Sequence, residues 1–452
     1  MALASSSGSG LSFSQTDCPM KIKKTIFFTL FFLATWGIVL SQNYRTFQAE
    51  QEEILSRTKI EIEKEKILSG AKIDIGPFKL FPALYLKNVG YDDNVYYEKE
   101  EDQPISDFTS TLSPEVKVYL LFKNSLILSF SENPEYLFYF KEKNQRAFTN
   151  SFSPRVRYLF FHRFTISADY RHQMQRRHIS SEIDRLITDQ VNGYSLSLFY
   201  GTPRGTSIGL SGTIDKIQYE DILLPGSEAY LSTELNREER SGFLEFYYQV
   251  FSEIFFFYKI GYTEYAFEYF QTSWRNSYSY QTYAGIRFPL LGKIRGILSL
   301  GYKMFVPRGE GRKVFSGLAG NTSLDIRLGR FSFRLGYVRD SIFSYWEDVL
   351  YYIDNRLETG VSFYLARFLR IDYNYQYARS NYADFISNGL LERPYVGIKR
   401  RDASYTQSVG FVFRIIKNTG LGLAINTWQK RSNIPGLNLH RNFIGVYLTH
   451  EF

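Results

Sequence analysis

The chain has 452 residues, enough for two or three soluble domains or one large closed sheet, and length does not choose between them. Aromatic residues make up 18% of it, with 36 Tyr and 40 Phe against 4 Trp, yet mean hydropathy is only −0.26; strands that alternate an apolar and a polar face reconcile the two, because each face cancels the other in an averaged window. The single Cys18 excludes an internal disulfide framework and any Cys-based metal cluster, and the +8 formal charge is dispersed without a basic block, which argues against nucleic acid as a partner.

Residues 1–19 are small and polar and read as an upstream extension. A cleaner unit begins at Met20: Lys21, Lys23 and Lys24 supply a basic start, 25–40 an apolar stretch, and Val39-Leu40-Ser41 a cleavage site, so 20–41 is expected to be an export signal with translation starting at Met20. Beyond it no apolar run reaches the roughly 18 residues of a membrane helix, which excludes a helical membrane bundle. Residues 42–75 are rich in Glu and Lys and read as a solvated segment ahead of the sheet, or as a plug folded into it.

From Gly76 the pattern changes. Leu80, Pro82, Leu84 and Leu86 alternate with Phe81, Ala83 and Tyr85, and the stretch ends on the turn-prone Asp92-Asp93-Asn94, whose side chains suit bonds to backbone amides. On Pro82, Tyr91, Asp92, Asp93 and Asn94, this opening resembles the outer-membrane β-barrel porin family associated with exopolysaccharide gene clusters. The resemblance implies a barrel over 76–452, placed in the outer membrane of a diderm bacterium, which passes a polar and anionic saccharide and is linked to exopolysaccharide export.

After Thr109 strand-like runs recur, and with 77–87 and the closing strand they number about eighteen. Tight connections at 123–124, 161–162, 202–204, 291–293, 329–330, 366–367 and 417–418 alternate with long polar loops at 176–190, 221–240, 308–315, 343–350, 380–401 and 431–439. That segregation is expected of short periplasmic turns and long extracellular loops, with both termini periplasmic. Within strands, Leu369, Ile371 and Tyr373 oppose Arg370, Asp372 and Asn374, and Phe331, Phe333 and Leu335 oppose Ser332, Arg334 and Gly336. A charge on the lipid side near the midplane costs about 2 to 4 kcal/mol, so the charged faces are expected to line the lumen.

The lumenal set is then Arg155, Arg157, Arg171, Arg295, Arg327, Arg334, Arg370 and Arg414, with Asp169, Asp325 and Asp372. Guanidinium groups pair with carboxylate and phosphate, so this set reads as a path for anionic saccharides, or as a salt-bridge ladder that braces the wall. No catalytic residue, metal ligand or cofactor site is expected: His162, His172, His178, His440 and His450 are the only histidines, and no Gly-x-Ser-x-Gly, His-Glu-x-x-His or phosphate-cradling loop is present. A barrel hydrolase using a Ser/His pair, such as His172 with Ser167 or Ser195, and a structural or adhesive barrel acting through its loops are the rival readings.

The chain ends in a further period-two strand, with Ile444, Val446, Leu448 and Phe452 on one side and Gly445, Tyr447 and Thr449 on the other. A terminal aromatic on such a strand resembles the closing strand of bacterial outer-membrane barrels, which implies that Phe452 is read by the barrel assembly machinery. The expected surroundings are outer-membrane lipid and lipopolysaccharide.

Overall fold

The computed structural model describes residues 63–452, apart from 66, 123–124, 162, 181, 184, 203–204, 224–228, 252–253, 291–292, 310, 345–348 and 385–396. The upstream extension, the export signal at 20–41 and most of the 42–75 segment lie outside the described residues, as do Lys123, Asn124, His162, Pro203, Arg204, Leu291 and Gly292 of the tight connections.

A short strand β1 (Ile73–Ile75) folds back on β2 (Phe78–Asp92). The hairpin turns at Gly76, whose φ of +58° is a conformation a side chain disfavours. The wall continues through β3 (Asp107–Phe122), β4 (Leu126–Tyr139), β5 (Ala147–Phe160), β6 (Phe164–Arg177), β7 (Ile187–Gly201), β8 (Ser207–Tyr219) and β9 (Arg237–Phe251). It goes on with β10 (Ile254–Phe267), β11 (Ser277–Leu290), β12 (Ile294–Pro307), β13 (Phe315–Leu328) and β14 (Phe331–Phe343). The last five strands are β15 (Tyr351–Ala366), β16 (Leu369–Tyr382), β17 (Arg401–Ile416), β18 (Thr419–Ser432) and β19 (Leu439–Glu451). Every neighbour is antiparallel, and β19 pairs with β2, so strands β2 to β19 close an all-β barrel of the expected eighteen.

Alternation decides the faces. In β10, Phe256, Tyr258, Ile260 and Tyr262 are exposed on the outside, while Phe255, Phe257, Lys259 and Thr263 are buried toward the lumen. Outward Leu196, Leu210, Leu244, Leu300 and Leu318 continue that apolar belt around the wall.

Strands extend beyond their expected ends. The loop expected at 221–240 is shorter, because β9 begins at Arg237, where the charged run Arg237, Glu238, Glu239 and Arg240 sustains the strand through pairs such as Arg237 with Glu239 at 2.7 Å. The connections 140–146 and 268–276, not among the expected long loops, also sit at the long-loop end.

The seam between first and last strands is held by the motif residues. Asp92 receives two bonds from Arg441 Nε, at 2.9 and 3.1 Å, and a third from Nη2. Asp93 accepts from the Asn442 backbone and side-chain amides at 2.6 and 2.8 Å, and Asn94 Nδ2 donates to the His440 carbonyl at 3.0 Å. The expected local turn bond is present as well, from the Asn94 amide to Asp92 Oδ1 at 3.1 Å. Tyr91 stays on the outer face, edge-on to Phe108. Gly90 lets the strands meet: a Cβ there would lie 2.0 Å from the Ile444 carbonyl oxygen. Pro82 sits one residue past the last β2–β19 pair, Ala83 with Glu451, and its carbonyl accepts the Phe452 amide at 3.2 Å.

Candidate functional site

The lumen has two differently built ends. At the short-turn end stand three separate arcs of the expected residues. On β5 and β6, Arg155 pairs with Asp169 at 2.5 Å, Arg157 with Glu63, and Arg171, farther from the turns, with Asp215 at 2.9 Å. On β12 to β14, Asp325 is the direct cross-strand neighbour of both Arg295 and Arg334, and binds Arg334 at 3.2 Å. On β16 and β17, Arg370 holds Asp372 at 2.9 Å. Arg295, Arg327 and Arg414 have no ion-pair partner among the described residues, and all three are exposed. The set is thus neither a continuous ladder nor a single cluster.

The described part of the segment ahead of β1 lies inside this mouth. Residues 63–65 and 67–70 are helical, Ile67 is buried against Ile127 and Leu159, and Glu63 reaches Arg157.

At the other end the described parts of the long loops fold together over the lumen. Ile183 and Ile187, Leu231 and Leu235 of the short helix α1 (Leu231–Leu235), and Ile434 and Leu437 form one apolar core drawn from three connections. Glu182, between β6 and β7, accepts from Ser344 Oγ at 2.6 Å across the barrel, between β14 and β15. Arg275 donates to the Ser344 carbonyl at 2.7 Å and pairs with Glu234 of α1 at 2.7 Å, and both members of that pair are buried. Arg400 and Asp402, each about 1% exposed, form a bidentate pair where the β16–β17 connection enters the wall. The described parts of these loops therefore form a lid over this mouth, built from apolar side chains and desolvated ion pairs.

Beneath the lid lie two cavities of about 290 and 400 Å³, which meet at Ile342, Asp354 and Arg356. The first contains Lys259, bonded to Glu245 at 3.3 Å, and Lys303, bonded to Asp340 at 2.7 Å. The second contains Arg177, Arg356 and Arg441, with His178 stacked on Tyr97 at 4.7 Å and edge-on to Trp428 at 4.8 Å. Burial, aided by the nearby cations Lys430 and Arg441, pulls the His178 imidazole down to about 3, so it is neutral. These residues were not in the expected set. The signal for Lys259 and Lys303 was a lone Lys at lumenal parity among aromatics; Arg177 and Arg441 fall near strand ends where parity alone says little, and Arg356 lies inside β15 between Asp354 and Glu358 at the same parity.

Among the described residues no group of His, Cys, Asp and Glu could hold a metal ion. His172 bonds Asn192 at 2.8 Å, and the rival Ser/His pairing is not assembled with Ser167 or Ser195: Ser195 bonds Asp169 at 2.6 Å and Ser167 lies by Arg157.

A closed antiparallel barrel with an apolar outer belt and a charged lumen is an outer-membrane channel-type protein. Residues 70–452 match the family described as "Putative beta-barrel porin 2", and the chain belongs to it. Among solved structures it is similar to Pseudomonas aeruginosa OccK3 (OpdO), with 12% identity, a TM-score of 0.46, and 82% of this chain and 95% of that one covered. It is also similar to P. aeruginosa OpdK with vanillate (9%, TM-score 0.47, 82% and 98% covered) and to Acinetobacter baumannii OccAB3 (12%, TM-score 0.46, 84% and 100% covered). No curated protein matches the sequence significantly.

Proposed function

We propose that this porin passes polar saccharides and favours anionic ones, in connection with exopolysaccharide export, with its termini and short turns on the periplasmic side and its lid outside. The observation that carries the reading is the short-turn mouth: Arg295, Arg327 and Arg414 project unpaired on lumenal positions there, and every short connection except Gly76-Pro77 and Ser252-Glu253 adds a Lys or Arg. Exposed guanidinium groups around a pore mouth concentrate anions. Arg155, Arg157, Arg171, Arg334, Arg370 and Asp372 line the same path as paired charges that brace it and exchange partners with a passing carboxylate. Phe452, exposed at the end of β19, serves the barrel assembly machinery, and the apolar belt meets lipid and, on the lid side, lipopolysaccharide.

The test is conductance of the refolded protein in a planar bilayer under a salt gradient, with an acidic oligosaccharide as blocker, for the intact chain and for one lacking 179–186. Anion-selective steps blocked by the saccharide are expected, larger in the deletion. Cation selectivity in both would overturn the reading. The packed lid favours a second one, a structural or adhesive barrel, which predicts no steps from either chain.

A further inference from the structure

The wall of the 400 Å³ cavity carries a row of neutral hydrogen-bonding side chains. Gln376, Thr406 and Trp428 are direct cross-strand neighbours on β16, β17 and β18, and Trp428 is opposite Arg441 on β19. Ser404 and Asn426 stand beside them in the same cavity. The side chains of Gln376, Ser404, Thr406 and Asn426 make no hydrogen bond to the protein among the described residues, and all four line this cavity. Polar groups turned into a lumen and left without protein partners are available to water or to a ligand. The cations nearby are already held: Arg177 by Asp189 at 2.7 Å, Arg356 by Asp354 at 2.5 Å, and Arg441 by Asp92 at 2.9 Å. The cavity is balanced in charge, unlike the short-turn mouth.

We propose that this cavity is a binding site for a neutral hexose unit of an oligosaccharide, whose hydroxyls bond Gln376, Ser404, Thr406 and Asn426 while one ring face lies on Trp428. Amide and hydroxyl side chains both donate and accept, which matches a ring of hydroxyls; a carboxylate would leave their donors and acceptors mismatched. The indole supplies a flat apolar surface for the C–H face of a sugar, and Tyr97 and His178 pack edge and face around it to fix its tilt. The volume is within the roughly 300–1,000 Å³ usual for small-molecule sites. Rings of hydroxyls recognised below the lid, after acidic groups are gathered at the other mouth, would make the two regions read different parts of one polymer. This site rests on the saccharide reading above.

The experiment is calorimetric titration of the full refolded chain with neutral trihexoses of gluco, manno and galacto configuration, and with trigalacturonate. Saturable binding of at least one neutral trisaccharide, tighter than trigalacturonate, is expected. Trp428→Ala should weaken it at least about tenfold, and the near-isosteric Thr406→Val about fivefold, the worth of one hydrogen bond. Trp428→Phe, which keeps a ring and should fold as the parent does, should retain binding within a few-fold. Arg414→Ala should leave it unchanged. No binding by any neutral trisaccharide, or equal or tighter binding of trigalacturonate, overturns the site; anion-selective conductance in the same preparation would leave the channel reading standing. Neutral binding without conductance in either bilayer chain would instead overturn the channel reading and keep the site.

Discussion

The two ends of the lumen carry similar residue types put to opposite use. At the short-turn mouth the charges are solvated: Arg334 and Asp325 are 65% and 45% exposed although paired. Across the lid the same kinds of pair are shut away from water, with Arg275 and Glu234 at 0% and 9%. Solvated pairs contribute little to stability and remain free to meet a solute, whereas desolvated pairs are costly to break and lock a geometry. Charge is left in water at one mouth and is locked into the packing of the lid at the other.

The largest test of that contrast is Arg275→Ala. It leaves Glu234 buried without its partner and should cost the lid about 3 to 5 kcal/mol, read as faster hydrogen exchange in 229–236 and 268–276. If exchange there is unchanged, the pair does not hold the lid. Ile434→Ala, which empties a fully buried position in the three-loop core, should cost about 2 to 4 kcal/mol by the same readout, with exchange in the wall strands unaltered.

Acid should loosen the lid as well. His178 is neutral when folded and protonates near pH 3, against an unfolded value near 6.5, so the open form binds more protons between those limits. Lid stability is therefore complete above pH 6.5 and falls as pH drops toward 3, against the neighbouring Tyr97, Arg441 and Lys430. Replacing His178 by Phe should flatten conductance against pH over that window; an unchanged profile would assign the loosening to other groups. At the opposite mouth, Asp325→Ala should change stability by less than about 1 kcal/mol in thermal unfolding, and a larger loss would mean that Arg334 is braced rather than free.

Much of the barrel was legible because lipid outside and water inside impose a two-residue period on each strand, as Phe256, Tyr258 and Ile260 against Phe257, Lys259 and Gly261 show. Turn length separated the two ends for a similar reason. The lid was not legible. Ile183, Leu231, Leu235, Ile434 and Leu437 are isolated apolar residues within polar loops, with no period to mark them, and only three-dimensional convergence makes them a core. Asp92 and Asp93 were readable as turn formers, but their main partners, Arg441 and Asn442, lie 349 residues away in the chain. The arginines of the short-turn mouth were found by parity, whereas the neutral row from Gln376 to Trp428 carries no charge to draw notice.

That same clasp tells a closed wall from an open one. The partners of Asp92, Asp93 and Asn94 sit in the final strand, so a chain halted before β19 keeps a bare β2 edge and an Asp92 without its guanidinium, and exposed edges recruit foreign strands. The clasp makes a closed barrel distinguishable from an open sheet by the fit of its two ends.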